Sequence, residues 1–140
     1  MLKVLKYLAI VLVLLQFIRV DITNPKTPKE QEIKAPKEVM SIFKRACYDC
    51  HSNEVKVPWY ASVAPISFYI KRHVKLGRAW VNFSIWETYS QEKKDKKLQE
   101  IYKAVYRSMP LSDYVMIHKD ATLSKEDRDL IRKWTGKSPF

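Results

Sequence analysis

Cysteine is scarce in this chain: it occurs twice, at positions 47 and 50. A structural zinc site would want a second Cys/His pair at ligand spacing, and none exists. A thioredoxin-like redox pair would want a βαβ context, but no strand-like alternation of useful length is present. No internal repeat is visible. Catalytic constellations are missing too, since there are no paired carboxylates and no nucleophile beside its base, and only three histidines occur. Negative charge is in short supply, with 15 Asp and Glu against 26 Lys and Arg, a formal net charge of +11. Such a balance suits nucleic acid, an anionic membrane surface or an acidic protein partner. Much of the excess sits in Lys93-Lys94-Asp95-Lys96-Lys97. That run reads first as a solvated helix face, with a docking patch as the other reading.

What is present centres on Cys47-Tyr48-Asp49-Cys50-His51. Two thiols three positions apart, followed directly by an imidazole, form the covalent attachment signature of a c-type haem. Each sulfur adds to one vinyl group of the porphyrin, and three residues of helical advance let both reach one macrocycle edge. His51 then falls under the iron as a proximal ligand. The remaining readings of the pair are a disulfide or half of a metal site. The cofactor expected is one haem c, held through Cys47 and Cys50.

The first twenty residues put Lys3 and Lys6 ahead of an apolar run from Leu8 to Leu15. Basic residues before an apolar core describe an export signal. Because no small-x-small cleavage site follows, residues 1–20 are expected to act as a retained signal anchor. The run is short against the roughly 20 residues of a usual bilayer crossing, and Lys3, Lys6 and Arg19 would extend it by snorkelling. The positive-inside rule then makes the protein single-pass in the cell membrane, with its haem domain on the periplasmic, extracytoplasmic side. Nucleic acid is accordingly set aside as a partner.

Residues 21–35, punctuated by Pro25 and Pro28, are expected to be an extended linker ahead of Pro36. The folded domain, 36–140, reads as small and all-α. Val39, Ile42, Phe43 and Ala46 form an apolar stripe leading into Cys47. A second helix opens at Pro65 and is expected to stop at Gly77. A third follows Ser90 to about Ser108, with Leu98, Ile101, Tyr102 and Val105 on one face. Residues 109–122 read as an irregular loop. A last helix begins at Ser124 with a capping pattern and ends near Gly136. Trp59, Tyr60, Phe68, Trp80, Phe83 and Trp86 are candidates to line a haem.

The distal side of the iron has four candidates. Met109, followed by Pro110 after the third helix, is the first; a thioether there could reach across the haem. His118 follows. Met116, among apolar neighbours, reads as core, and His73, beside Lys71, Arg72 and Lys75, reads as solvent-exposed; an open site is the remaining option. Trp59 beside the cofactor, and Arg78 as a donor to the haem propionates, complete the set.

The region from Pro36 to Trp134 resembles the small haem-binding domain of exported bacterial proteins related to class I cytochromes c. The resemblance is carried by Cys47 to Asn53, Pro58-Trp59-Tyr60, Ala64-Pro65 and Gly77-Arg78. It continues through Asn82-Phe83-Ser84, Trp86, Tyr89-Ser90, Met109-Pro110 and His118, and closes with Leu123-Ser124, Leu130-Ile131 and Trp134. It implies covalent haem, His51 as proximal ligand and Met109 as distal ligand, and supplies no reaction. The function expected is a membrane-tethered monohaem cytochrome that transfers electrons to redox partner proteins, acidic ones by charge, and is not an enzyme. The alternative is a haem-based sensor or peroxidase-like enzyme with an open distal site, for which His73 and His118 would be the acid/base candidates.

Overall fold

The computed structural model describes residues 1–137; the last three residues of the expected 36–140 domain lie outside the described residues. Seven α-helices form in chain order: α1 Leu2–Leu15, α2 Lys37–Ala46, α3 Tyr48–His51, α4 Ile66–Trp80, α5 Gln91–Arg107, α6 Ser112–Ile117 and α7 Lys125–Thr135. Short 3₁₀ turns lie between α1 and α2, α3 and α4, α4 and α5, and α6 and α7, and no strand occurs among the described residues. The all-α expectation therefore holds.

Two of the helices, α5 and α7, start where a side chain satisfies an orphan amide. Ser90 accepts from the Lys93 amide to open α5. Ser124 and Asp127 form a reciprocal capping box at α7, which ends at Gly136 in the left-handed conformation (φ 60°). The stripe on α2 is buried as expected: Val39, Ile42, Phe43 and Ala46 all enter the core. There Phe43 stacks on Phe83 at 4.9 Å and meets the edge of Trp134 at 5.3 Å. Ile101, Tyr102 and Val105 of α5 and Ile131 of α7 close the same cluster. Full burial of such side chains contributes about 1.5–3 kcal/mol each before entropy is counted.

Three sequence expectations change. The helix predicted to stop at Gly77 runs on to Trp80. Gly77 is used for its missing side chain: a Cβ there would overlap the carbonyl oxygen of Cys50 and lie 3.2 Å from the Cys50 Cβ. Glycine thus lets α4 press against α3. The 109–122 loop contains α6 and a 3₁₀ turn, Lys119–Ala121.

The 21–35 segment, expected as a free tether, is laid onto the domain instead. Asn24 exchanges two hydrogen bonds with the Val55 backbone (2.9 and 3.0 Å). Glu32 accepts from Lys44 (2.6 Å) and from the Tyr48 hydroxyl (2.7 Å). Ile33 is buried in the core and bonds through its amide to the Phe83 carbonyl (2.8 Å). One apolar residue amid charges is enough to pin the strap, because its partner lies far along the chain.

At the N-terminus α1 has fourteen residues, none of them buried. No helix among the described residues is long and apolar enough to cross a membrane. Gln16, just past α1, grips Ala64 in both directions: its amide donates to the Ala64 carbonyl, and its oxygen accepts from the Ala64 amide, each at 3.0 Å.

Candidate functional site

Cys47 to His51 fold as the junction of α2 and α3. The Cys47 amide closes α2 on Phe43, and the His51 amide reaches back to Cys47 (2.9 Å each). One turn therefore carries Cys47, Cys50 and His51 to a cavity of about 300 Å³. Both cysteines are free and half-buried. Burial pushes the Cys47 thiol up to about 12 and the Cys50 thiol to about 11, so both stay protonated at neutral pH.

His51 is 7% exposed. Its Nδ1–H is shared between the carbonyls of Gly77 (3.0 Å) and Val81 (3.1 Å) at the end of α4. Those acceptors fix the tautomer with the proton on Nδ1 and leave the Nε2 lone pair available. Burial also lowers the proton affinity of the ring, against the pull of the two carbonyls, and keeps it neutral. A neutral imidazole oriented by backbone carbonyls is the form that binds a metal. Trp80 and Phe83 hold the ring from the sides, at 5.6 and 6.0 Å between centroids.

The loop behind the motif is fastened by a buried polar set. The Asn53 amide donates to Ser84 Oγ (2.9 Å), and Asn82 Nδ2 donates to Asn53 Oδ1 (2.8 Å). Ser52 Oγ donates to the Tyr48 carbonyl (2.7 Å). Every buried polar group here has a partner, which rigidifies the turn that aims His51.

Of the distal candidates, Met109 and His73 reach this cavity, alongside Leu76, Gly77, Trp80, Pro110, Leu111 and Tyr114. Met109 also lines a small void of about 30 Å³ bounded by Phe43, Ala46, His51 and Trp80. His73, expected in solvent, is half-buried, its Nδ1 against the Tyr69 carbonyl (2.9 Å). His118 and Met116 lie elsewhere, around a neighbouring cavity of about 250 Å³. His118 Nε2 is hydrogen-bonded to the Tyr60 hydroxyl, and its ring stacks on Tyr114 at 4.4 Å. Met116 is exposed rather than in the core.

Two further site expectations land away from the cavity. Trp59 is 81% exposed and stands edge-on to Tyr60. Arg78 directs its guanidinium to the carbonyls of Ser52 (2.7 Å) and Thr23 (2.8 Å) and to Asn24 Oδ1 (3.1 Å). It fastens the N-terminal strap to the motif loop and does not line the cavity. Tyr114 was missed in the sequence: its hydroxyl donates to Asp49 Oδ2 inside the motif (2.8 Å). No local pattern marks it, because the bond spans sixty-five positions.

The fit to haem rests on these residues. An apolar cavity is lined by two protonated thiols and one oriented, neutral imidazole, with Met109 on its wall. The main cavity shares Ala46, Cys47, His51, Trp80, Met109 and Pro110 with the small void. It shares Asp49, Cys50, His73, Leu111 and Tyr114 with the neighbouring cavity. The three cavities therefore adjoin one another around the Cys47–His51 turn. A family model described as a haem-binding domain matches residues 10–137. No curated relative and no solved structure matches the chain. The cavity and that match lead to one conclusion: the chain belongs to the haem-binding domain family, and haem is its cofactor.

Proposed function

We propose that the protein is a monohaem c-type cytochrome that moves single electrons between partners at a membrane. The observation that carries this reading is the His51 arrangement, in which two backbone carbonyls hold Nδ1–H and leave Nε2 for a metal, one residue after two cavity-lining thiols. When bound, haem supplies one-electron chemistry at iron. The chain's own residues do the rest. Cys47 and Cys50 would hold the macrocycle edge through thioethers, and His51 would give the proximal nitrogen. Met109, on the same cavity wall, would give the distal sulfur. With His51 and Met109 both holding the iron, the group would supply one-electron chemistry at a raised potential and leave no room for a substrate. Trp80, Leu76, Leu111 and Pro110 would present apolar surface to the bound group and so favour its less charged, reduced state.

Membrane attachment is part of the reading. The exposed apolar surface of α1, with Lys3 and Lys6 at one end and Arg19 past the other, supports it. The haem domain would then lie on the exported side. The net charge of +11 would speed encounter with acidic redox partners in a salt-dependent way. A sensor or peroxidase-like role would require an open distal site. His73 on the cavity wall is the one observation in its favour.

The test is an alkaline pyridine haemochrome assay on the full chain from a membrane fraction, followed by carbon monoxide exposure of the reduced native protein. A c-type haemochrome that survives acid–acetone extraction, with no immediate carbon monoxide complex, is the expected result. Extractable haem would sink covalent attachment, and instant carbon monoxide binding would sink the electron-carrier reading.

A further inference from the structure

Negative charge is absent from one long stretch of the chain. Between Glu54 and Glu87 there is no Asp or Glu, although the chain has 15 in all. The same stretch carries Lys56, Lys71, Arg72, Lys75 and Arg78. Arg78 is used internally, as described. Lys56, Lys71, Arg72 and Lys75 are exposed, and the ion pairs among the described residues include none of them. By contrast, Lys44, Arg45, Lys94 and Lys97 are each matched to a carboxylate. A run of exposed cations with no carboxylate of its own in the sequence favours an anionic counterpart.

The same stretch shows its apolar side chains to solvent. Val57, Val63, Ile66 and Tyr69 are all exposed, and Trp59 is the most exposed aromatic residue of the segment. They belong to the turn Trp59–Ser62, the loop on either side of it and the start of α4. This turn is the part of the domain that Gln16 grips through Ala64. Gln16, Ile18, Arg19, Ser62 and Ala64 line one crevice there. The apolar surface of α1 and the exposed apolar turn therefore meet at a two-bond joint, and cations flank the turn.

We propose that the face from Val57 to Lys75 lies against an anionic phospholipid surface. Trp59, Val63 and Ile66 sit at head-group level, and Lys56, Lys71, Arg72 and Lys75 sit over the phosphates. Tryptophan and tyrosine favour that depth, where one part of the ring is apolar and another wet. Cations beside an amphipathic surface add attraction to anionic lipid that salt screens. The proposal deepens the membrane attachment proposed above and rests on it. Its new content is that the Gln16 joint makes the attachment oriented, with one face of the haem domain always turned to lipid.

The test uses the full, haem-loaded chain in vesicles of phosphatidylcholine and phosphatidylglycerol doped with a phospholipid carrying a diazirine near its head group. After irradiation, lipid adducts are mapped by peptide mass spectrometry. Adducts in residues 1–18 and in 57–69 are expected. A Lys71→Glu/Arg72→Glu/Lys75→Glu chain should lose labelling of 57–69 several-fold while 1–18 labels as before. Pure phosphatidylcholine vesicles should have the same effect on the native chain. Trp59→Ser/Val63→Ser gives a second, uncharged perturbation, with the far-UV dichroism reporting that the helices persist. Adducts confined to 1–18 overturn the proposal and leave attachment through α1 standing; a protein partner or a second copy would then own this face. Adducts in neither segment overturn both. Unchanged labelling in the charge-reversed chain overturns the assignment to an anionic surface.

Discussion

On one side of the cavity, His51 is buried to 7% exposure and held by two carbonyls from the end of α4. A glycine lets α4 press directly on Cys50. Elsewhere on the lining, Met109 is half-buried, and no hydrogen bond to its thioether occurs among the described residues. Its backbone hangs from the Ala104 carbonyl at the end of α5 (2.9 Å). The helix that follows, α6, buries no residue. Tyr114 and Val115 pack partly buried against the core, and the bonds Tyr114 to Asp49 and Tyr69 to Asp113, with the stack of Tyr114 on His118, add links nearer the surface. The His51 wall is thus fixed by buried backbone, and the Met109 wall more by contacts that are only partly buried. Buried hydrogen bonds resist exchange with solvent, whereas exposed ones are replaced by water at little net cost. The proximal ligand should therefore be set before haem arrives, and the distal ligand should settle onto the metal afterwards.

His51→Ala should have the largest effect. It removes the buried imidazole held by two backbone carbonyls, and the visible spectrum of a ligated haem should be lost almost completely while the helical dichroism persists. A variant that keeps its native spectrum would mean that the His51 wall had been misassigned. Met109→Ala should act more narrowly. Haem stays attached, the distal face opens, and carbon monoxide binds the reduced protein at once. The unfolding free energy should fall by about 1 kcal/mol, below the roughly 2–5 kcal/mol of a methionine removed from a tight core. If the native spectrum persists, the distal role passes to His73, which lines the same cavity, or to His118 or Met116.

The difference between the walls also explains what the sequence could reveal. The attachment motif, the α2 stripe and the Ser124 capping box are local patterns, each complete within about ten residues, and they stood out before any fold was known. The role of Gly77 did not. A lone glycine after a helical stretch looks like a stop, and only the approach of Cys50, twenty-seven positions earlier, shows that the missing side chain is what matters. Ile33 was hidden in the same way, because its core neighbour Phe83 is fifty positions away. Trp59 misled because an aromatic beside a proline says nothing about which way it faces. The place of Met109 between a helix and a proline drew attention to it, and the fold puts it on the cavity lining. The bonds that hold its neighbourhood, Tyr114 to Asp49 above all, join distant positions and leave no periodic trace.

Gly77→Ala sets propensity against packing. Alanine is favoured over glycine inside a helix by about 1 kcal/mol. Overpacking a rigid contact costs about 1–3 kcal/mol, and here the obstacle is backbone. We expect net destabilisation in urea unfolding, together with a lower yield of ligated haem as α3 is pushed from α4. Leu111→Ala, on the Met109 wall, should cost about 1 kcal/mol or less because that side chain is half-exposed. A Gly77→Ala protein as stable as the native chain would remove the contrast between the walls.

The smallest effect concerns the clamp that ties the proximal helix to α7. Arg45, near the end of α2, donates to Asp127 Oδ2 (2.5 Å) and to the carbonyls of Asp120 (2.6 Å) and Thr122 (3.1 Å). Burial pulls the Asp127 carboxyl upward, but the Arg45 guanidinium and the Ser124 amide outweigh it and hold the group below the ordinary aspartate range. Because the folded value is depressed, the clamp's contribution is fully present above the unfolded aspartate value of about 3.9 and is lost as pH falls through the folded value. Asp127 is about one-sixth exposed (17%), so solvent limits the contribution to about 1 kcal/mol. Urea unfolding of the native chain and of Arg45→Met, followed from pH 6 to the acid limit of folding, measures it. The stability gap between the two chains should narrow on acidification, starting near pH 4, because the native chain loses what the variant never had. A constant gap would mean that the Arg45 bonds to the two carbonyls, which do not titrate, hold α2 to the C-terminal helix without help from the carboxylate.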